Sequence, residues 1–313
     1  MDVCQQKFQR RDFKEGYIPK GSPICVTLPN GLTLNMDEDS TYYLGDVLFQ
    51  KSLVDSVIKS ATRAAGMKNY VQHWNTYRIP YIITQTNGNF SFSDNDVQKI
   101  KTALNNISNA CQLEFEEVIS SNSNYIRFIP GAEDGMNYSS NIGMQNGENT
   151  IVLCNNNFYM GTAMHEVLHI LGYYHEQCRS DRDEYVNIIW DNIPTNQLKN
   201  QYQKYNLREE GYDIGNFDFN SIMMYSSYIL DNNGITKTVM TKKNGDEFGN
   251  QRYYLTQGDQ EALYFFYGEK PKITSEIIDE HYEFDISTDI YVLRDYKIEF
   301  DNVLQYPRYV AVT

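Results

Sequence analysis

The chain has 313 residues, 41% of them hydrophobic, enough for one large or two modest domains with a true core. Its 27 basic and 41 acidic residues give a net charge of −14 and no basic patch stands out, which argues against a nucleic-acid partner. The longest apolar runs are far too short to cross a bilayer.

In chain order, Met1-Asp2-Val3-Cys4-Gln5-Gln6 has no apolar h-region. A removed leader, another export route and an intracellular protein all remain open. Residues 1–63 read as a separate segment with a charged start. Two β-like runs, Ile24–Leu28 and Leu32–Leu34, flank Pro29-Asn30-Gly31, a hairpin signal. Gly45-Asp46 reads as a turn. Arg63-Ala64-Ala65-Gly66 sets small, flexible residues after a basic one, which suits a trypsin-like cut. Arg78–Thr84 is β-like. Ser93-Asp94-Asn95-Asp96 caps an amphipathic helix whose apolar face is Val97, Ile100, Leu104, Ile107 and Cys111. Tyr125–Ile129, Ser139–Ile142 and Thr150–Leu153 are strand candidates, the last two separated by Gly143, Asn146 and Gly147.

Gly161-Thr162 opens the next helix, with Thr162 as its N-cap. That helix carries His165-Glu166-Val167-Leu168-His169-Ile170-Leu171-Gly172-Tyr173-Tyr174-His175, which is HExxHxxGxxH. His165 and His169 are four residues apart and share a helix face, with Cβ atoms about 5–6 Å apart. Two imidazoles so placed can hold one Zn²⁺ at about 2.0–2.1 Å each. Gly172 ends the helix in the left-handed conformation, so the chain turns and delivers His175 as a third nitrogen. Three protein ligands leave a fourth position for water, the mark of a catalytic site. Zn²⁺ lowers the pKa of its water to about 7, and Glu166, beside the first ligand, is placed to take the proton and pass it to a leaving amine. A chance match to these fixed positions is expected on the order of once in ten thousand chains of this length. The reaction class is metal-assisted amide hydrolysis.

Beyond the turn-rich stretches Asp231–Gly234 and Lys243–Asp246, Thr256-Gln257-Gly258-Asp259 is a capping box that opens a last helix to Tyr267. Residues 269–313 carry two alternating runs, Tyr282–Ile286 and Tyr291–Phe300. Of the five cysteines, Cys4, Cys25, Cys111, Cys154 and Cys178, at least one is unpaired in a monomer. Cys178 is read as a buried or partly buried free thiol, since three His complete the protein's share of the metal site. Asn89, Asn106 and Asn137 open N-x-S sequons.

The zinc motif resembles that of the metzincin metalloproteases, and its continuation resembles the astacin family. Glu176 directly follows the third His, and Arg179-Ser180-Asp181-Arg182-Asp183-Glu184-Tyr185-Val186 matches the astacin RxDRDxYV. Ser221-Ile222-Met223-Met224-Tyr225 resembles the astacin Met-turn, with Met224 where His is usual. The resemblance covers about Ala65 to Tyr267. It implies an α+β, two-lobed protease with a twisted mixed sheet, a zinc helix and a Met-turn. It also implies one catalytic Zn²⁺, protein or peptide substrates, secretion and manufacture as a zymogen. By it, His165, His169 and His175 hold the metal and Glu166 is general base and acid. Met223 forms an apolar floor beneath the ion. Tyr225 ligates zinc at rest and swings away to stabilise the oxyanion. Ser139–Ile142 would be the edge strand that pairs with substrate. Tyr43-Leu44-Gly45-Asp46 resembles the FxGD motif of astacin prosegments, so Asp46 would coordinate zinc in the zymogen. Cys25, whose thiolate is an excellent zinc ligand, is the alternative. Mature chains of the family bury a new amino terminus against the residue corresponding to Glu176, here starting at Ala64 or Ala65.

The two disulfides of animal astacins lack their expected partners here, and a Cys111–Cys154 bridge stays open. Lys237, Lys242 and Lys243 would favour an acidic residue after the cut bond if they border that pocket. The organisation is thus 1–63 inhibitory prosegment, 64–268 protease domain and 269–313 C-terminal extension. Two other readings remain: a catalytically silent zinc-bound binding module, and a metallo-amidase acting on cell-wall peptides. Intact Glu166 and Tyr225 argue against the former.

Overall fold

The computed structural model describes residues 20–27, 33–45, 47–49, 51, 54, 73–132, 135–205, 212–230 and 235–268, plus the strand backbone of 277–285, 290–298 and 310–311. The chain divides into two compact units, Met1–Tyr267 and Gly268–Thr313.

Unit one begins with strands β1 (Ile24–Thr27), β2 (Thr33–Met36), β3 (Tyr42–Leu44) and β4 (Val47–Phe49). They form an antiparallel meander, with Cys25 opposite Asn35 and Tyr43 opposite Leu48. Strand β5 (Arg78–Ile83) follows, then a two-residue hairpin, β6 (Thr86–Asn87) and β7 (Phe90–Ser91). Helix α1 is Asp94–Ala110. Its capping box is the one read from the sequence, with Asp96 N–H bonded to Ser93 Oγ and Ser93 N–H bonded to the Asp96 carboxylate. Ile100, Ala103, Leu104 and Ile107 are its buried face.

Strands β8 (Glu114–Glu117), β9 (Tyr125–Gly131), β10 (Tyr138–Ser139) and β11 (Glu148–Cys154) complete the main sheet. The order is β1-β2-β3-β4-β10-β11-β9-β5-β8, nine strands in all. The pairs β11/β9, β9/β5 and β5/β8 are parallel, β10/β11 is antiparallel, and β4 joins β10 in parallel with Val47 opposite Ser139. The sheet is therefore mixed. Alternate residues of β9 (Ile126, Phe128) and β11 (Ile151, Leu153) point into one core with α1 and the next helix, α2 (Met160–Ile170).

Beyond α2, a second cluster gathers Val186, Ile193, Tyr202, Phe217, Met224, Val239 and Met240. It contains β12 (Val186–Ile188), helix α3 (Asn196–Asn200) and strands β13 (Tyr228–Leu230), β14 (Thr236–Thr238) and β15 (Met240–Lys242). Two cores on either side of the helix-to-Met-turn segment give the two lobes. Helix α4 (Gln257–Tyr267) returns to the first core through Leu263 and Tyr267. In unit two, β16 (Ile277–Asp285) pairs antiparallel with β17 (Ile290–Ile298), and β18 (Val310–Ala311) adds a third strand.

Three expectations change. Helix α2 starts at Met160 with Tyr159 as N-cap and no side-chain cap bond, and Thr162 lies inside it, its N–H bonded to Tyr159 O. The strand expected over Ser139–Ile142 is two residues long, because the loop after it folds inward on Asn141 and Asn149. Cys111 and Cys154 are both buried, as is Cys178, and the Cys111–Cys154 bridge is not formed.

Candidate active site

Helix α2 is buried from Gly161 to Ile170, so its polar residues can only face a built site. Gly161 lies so close to the Arg252 backbone that a Cβ there would stand 2.0 Å from its carbonyl oxygen. The other end stops as the sequence predicts. Gly172 has φ +109°, its N–H bonds His169 O, and Tyr173 N–H bonds Leu168 O. That pair of bonds is a Schellman motif. Two more terminal carbonyls are capped by side chains: Trp74 Nε1 donates to Ile170 O and Tyr267 Oη donates to Leu171 O. The turn that carries His175 is thus anchored from three directions.

The ring nitrogens are oriented from behind. His165 Nδ1 donates to Ile222 O at 2.8 Å and His169 Nδ1 to Tyr173 O at 2.7 Å. A carbonyl can only accept, so each Nδ1 carries the proton and each Nε2 offers its lone pair. The Nε2 atom of His175 lies 3.1 Å from that of His169 and 3.3 Å from that of His165. Tetrahedral ligands at 2.0–2.1 Å stand about 3.3 Å apart, so the triad fits one zinc ion. All three rings are buried, and they are the only such ligand cluster among the described residues. Glu166, on the same helix beside the first ligand, is fully buried.

The segment Ser221–Tyr225 backs the triad through Ile222 O. Met223 is buried, and its carbonyl accepts from Glu176 N–H at 3.0 Å. Tyr225 lies with its ring centroid 4.3 Å from that of His175. Met224, where the resemblance would put His, is buried in the second core.

Glu176 sits behind the site. Its carboxylate accepts from Asp218 N–H at 2.9 Å and lies 3.6 Å from Arg179. Burial pushes its pKa up to about 8; Arg179 and the Asp218 amide oppose this, and the Asp259 and Asp218 carboxylates add to it.

Gln177, which no motif singled out, completes the support with Arg182 and Asp259, which the motifs include without this role. Gln177, fully buried, accepts the Tyr225 N–H on its side-chain oxygen. Arg182 in turn binds Gln177 O and Tyr202 O. Asp259 accepts from Ser221 Oγ and Ile222 N–H, and so holds the carbonyl that orients His165. Their partners lie 20 to 48 residues away in sequence for Tyr202, Tyr225, Ser221 and Ile222, so the roles follow from packing and not from local pattern.

The two candidate zymogen ligands stand differently. Asp46 lies outside the described residues. Cys25 is in outermost strand β1, beside Asn35 and Asn200, and is not among the clustered ligand atoms. The neighbouring Gly45 does reach the centre. It has φ +65°, and a Cβ there would stand 2.8 Å from Tyr225 Oη.

Residues 66–268 match the Astacin peptidase-family model. This chain belongs to the astacin family. It is a zinc-dependent endopeptidase with one zinc site. Zinc metalloproteinase nas-4 of Caenorhabditis elegans is 30% identical over 234 residues, 73% of this chain and 70% of that protein. Flavastacin of Elizabethkingia meningoseptica is 29% identical over 222 residues, 70% of this chain but 47% of that longer protein. The fold of high choriolytic enzyme 1, a hatching enzyme zinc-protease from Oryzias latipes, superposes with a TM-score of 0.51. It shares 24% identity and covers 64% of this chain and 94% of that one. No helix among the described residues is long and apolar enough to span a membrane.

Proposed function

We propose that this astacin-family peptidase is exported as a zymogen in which residues 1–63 cover the active site, and that Glu166 and Tyr225 perform its chemistry once they are removed. The single observation that carries the zymogen reading is Gly45, whose backbone lies against Tyr225 Oη. The parallel pairing of Val47 with Ser139 supports it, because it takes the strand edge that an extended peptide would use. Asp46, between these two contacts, is the residue we assign to cap the metal, ahead of Cys25.

Zn²⁺ held by the three Nε2 atoms supplies a Lewis acid for the scissile carbonyl and an acidified water. Glu166 takes the proton of the attacking water on its carboxylate and returns it to the leaving nitrogen as the C–N bond breaks. Burial keeps that carboxylate in a dry setting where its proton transfers are not short-circuited by bulk solvent. The Tyr225 hydroxyl donates to the developing oxyanion, from a backbone position fixed by Gln177. With the segment gone, β10 offers its outer edge to substrate backbone. The new amino terminus at Ala64 or Ala65 then pairs with Glu176, in place of part of the Arg179 and Asp218 contacts.

Casein hydrolysis by the intact chain and by the chain cut after residue 63 and freed of residues 1–63 tests both parts. The intact chain is expected to be latent and the fully processed form active. Equal activity in the two would end the zymogen reading; inactivity of a zinc-loaded, folded processed form would end the catalytic one.

A further inference from the structure

Residues 20–54 do more than reach into the cleft. Leu34, Tyr42, Leu44 and Val54 form a separate small core, with Val26, Met36 and Phe49 packed on it. Cutting at residue 63 leaves that core and the four-strand meander intact. The cut also leaves three attachments to the protease. Two are at the site, the β4/β10 pairing and the Gly45–Tyr225 contact. The third lies on α3. Gln197 Nε2 donates to Pro23 O at 2.6 Å, and Asn35 Nδ2 donates to Gln197 O at 3.1 Å. Asn200 Nδ2 donates to Asn35 Oδ1 at 2.8 Å.

Asn35 is fully buried and Asn200 nearly so. A buried amide that loses its partner keeps the whole desolvation penalty, so the two asparagines specify each other. Their residue numbers differ by 165, so this is a joint between two surfaces and not local chain geometry.

We propose that the Gln197–Asn200 face of α3 is a docking seat for the β1–β2 edge, which keeps the prosegment bound as a noncovalent inhibitor after the chain is cut at residue 63. Activation then needs a second step that destroys or extracts the segment. This rests on the zymogen reading above, and the two can fail separately.

The experiment uses the full chain with a site for a sequence-specific protease inserted between Arg63 and Ala64. The nicked protein is run on gel filtration at micromolar concentration and assayed on casein. Both fragments should elute together, and the nicked protein should remain latent. Asn200→Ala should raise the dissociation constant of the segment about ten- to a hundredfold, and Gln197→Ala by about five- to tenfold. Asn35→Ala combined with Asn200→Ala should lose less than the two single effects multiplied, since neither amide is left orphaned. Fully processed Asn200→Ala should match the processed wild type in activity, which shows that the fold survives. Release of the wild-type segment on nicking, with immediate activity, would overturn the proposal. So would retention that Asn200→Ala and Gln197→Ala leave unchanged. An intact chain already active before nicking would instead overturn the zymogen reading.

Discussion

Gln177 shows how a single side chain can matter to chemistry it does not touch. It carries the Tyr225 amide on its side-chain oxygen, and its own carbonyl is held by buried Arg182. Gln177→Ala should leave zinc content unchanged and lower kcat about tenfold with little change in KM, because the loss falls on the placement of Tyr225. A rise in KM alone, at constant kcat, would show that it serves substrate binding instead. The histidine triad able to hold a metal was legible in the sequence because two of its members lie on one helix face and the third follows one glycine turn later; all the geometry is local. Gln177 was not, since the Tyr225 backbone it holds is 48 residues away. Asn137 was misleading for the opposite reason. Its sequon is intact, but its side chain is buried and accepts the Cys154 N–H, so it has no surface on which to carry a glycan.

Elements depend on their ends. Gly172 closes α2 at φ +109°, a backbone that costs an L-residue about 1–2 kcal/mol. Gly172→Ala should lower the melting temperature and, because His175 leaves from this turn, weaken zinc retention against a chelator about tenfold or more. Unchanged retention would show that the His175 position is set elsewhere. At the start of α1, burial would raise the Asp96 pKa, but bonds from Ser93, Asn156 N–H and Lys99 outweigh it and hold the carboxyl below its ordinary range. The folded value lies below the unfolded one. The stability this adds is therefore full above the unfolded pKa of about 3.9 and is lost as pH falls through the folded value. Denaturant titrations should find Asp96→Asn less stable by about 1–2 kcal/mol near pH 7, with the gap closing below about pH 4. A gap that stays constant down to pH 2 would contradict this assignment. Ser93 and Thr256 announced their helices by capping boxes. The start of α2 did not, because Tyr159 caps it without a side-chain bond and the signal at Thr162 lies one turn too late. Nor could the Thr256 box disclose that Asp259 also fastens the Met-turn through Ser221 and Ile222.

At the scale of the whole molecule, alternation and periodicity foretold which stretches are strands but not how they pair. Tyr282–Ile286 and Tyr291–Phe300 were read as β from their pattern and fall largely within β16 and β17. No pattern told that the first four strands would extend the protease sheet, since Val47 and Ser139 pair across 92 residues of chain. Pairing partners are set by packing, which a linear pattern does not encode. The central claim is nevertheless local: three imidazoles grip one zinc ion, and Glu166 beside them moves the proton. It is tested most directly by measuring zinc per chain and casein turnover together, in processed wild type and processed Glu166→Ala. The account predicts about one zinc per chain in both proteins, with turnover at least about a thousandfold lower in the variant. Correctly folded wild type without a bound transition metal, or a variant that turns over casein at the wild-type rate, would contradict it.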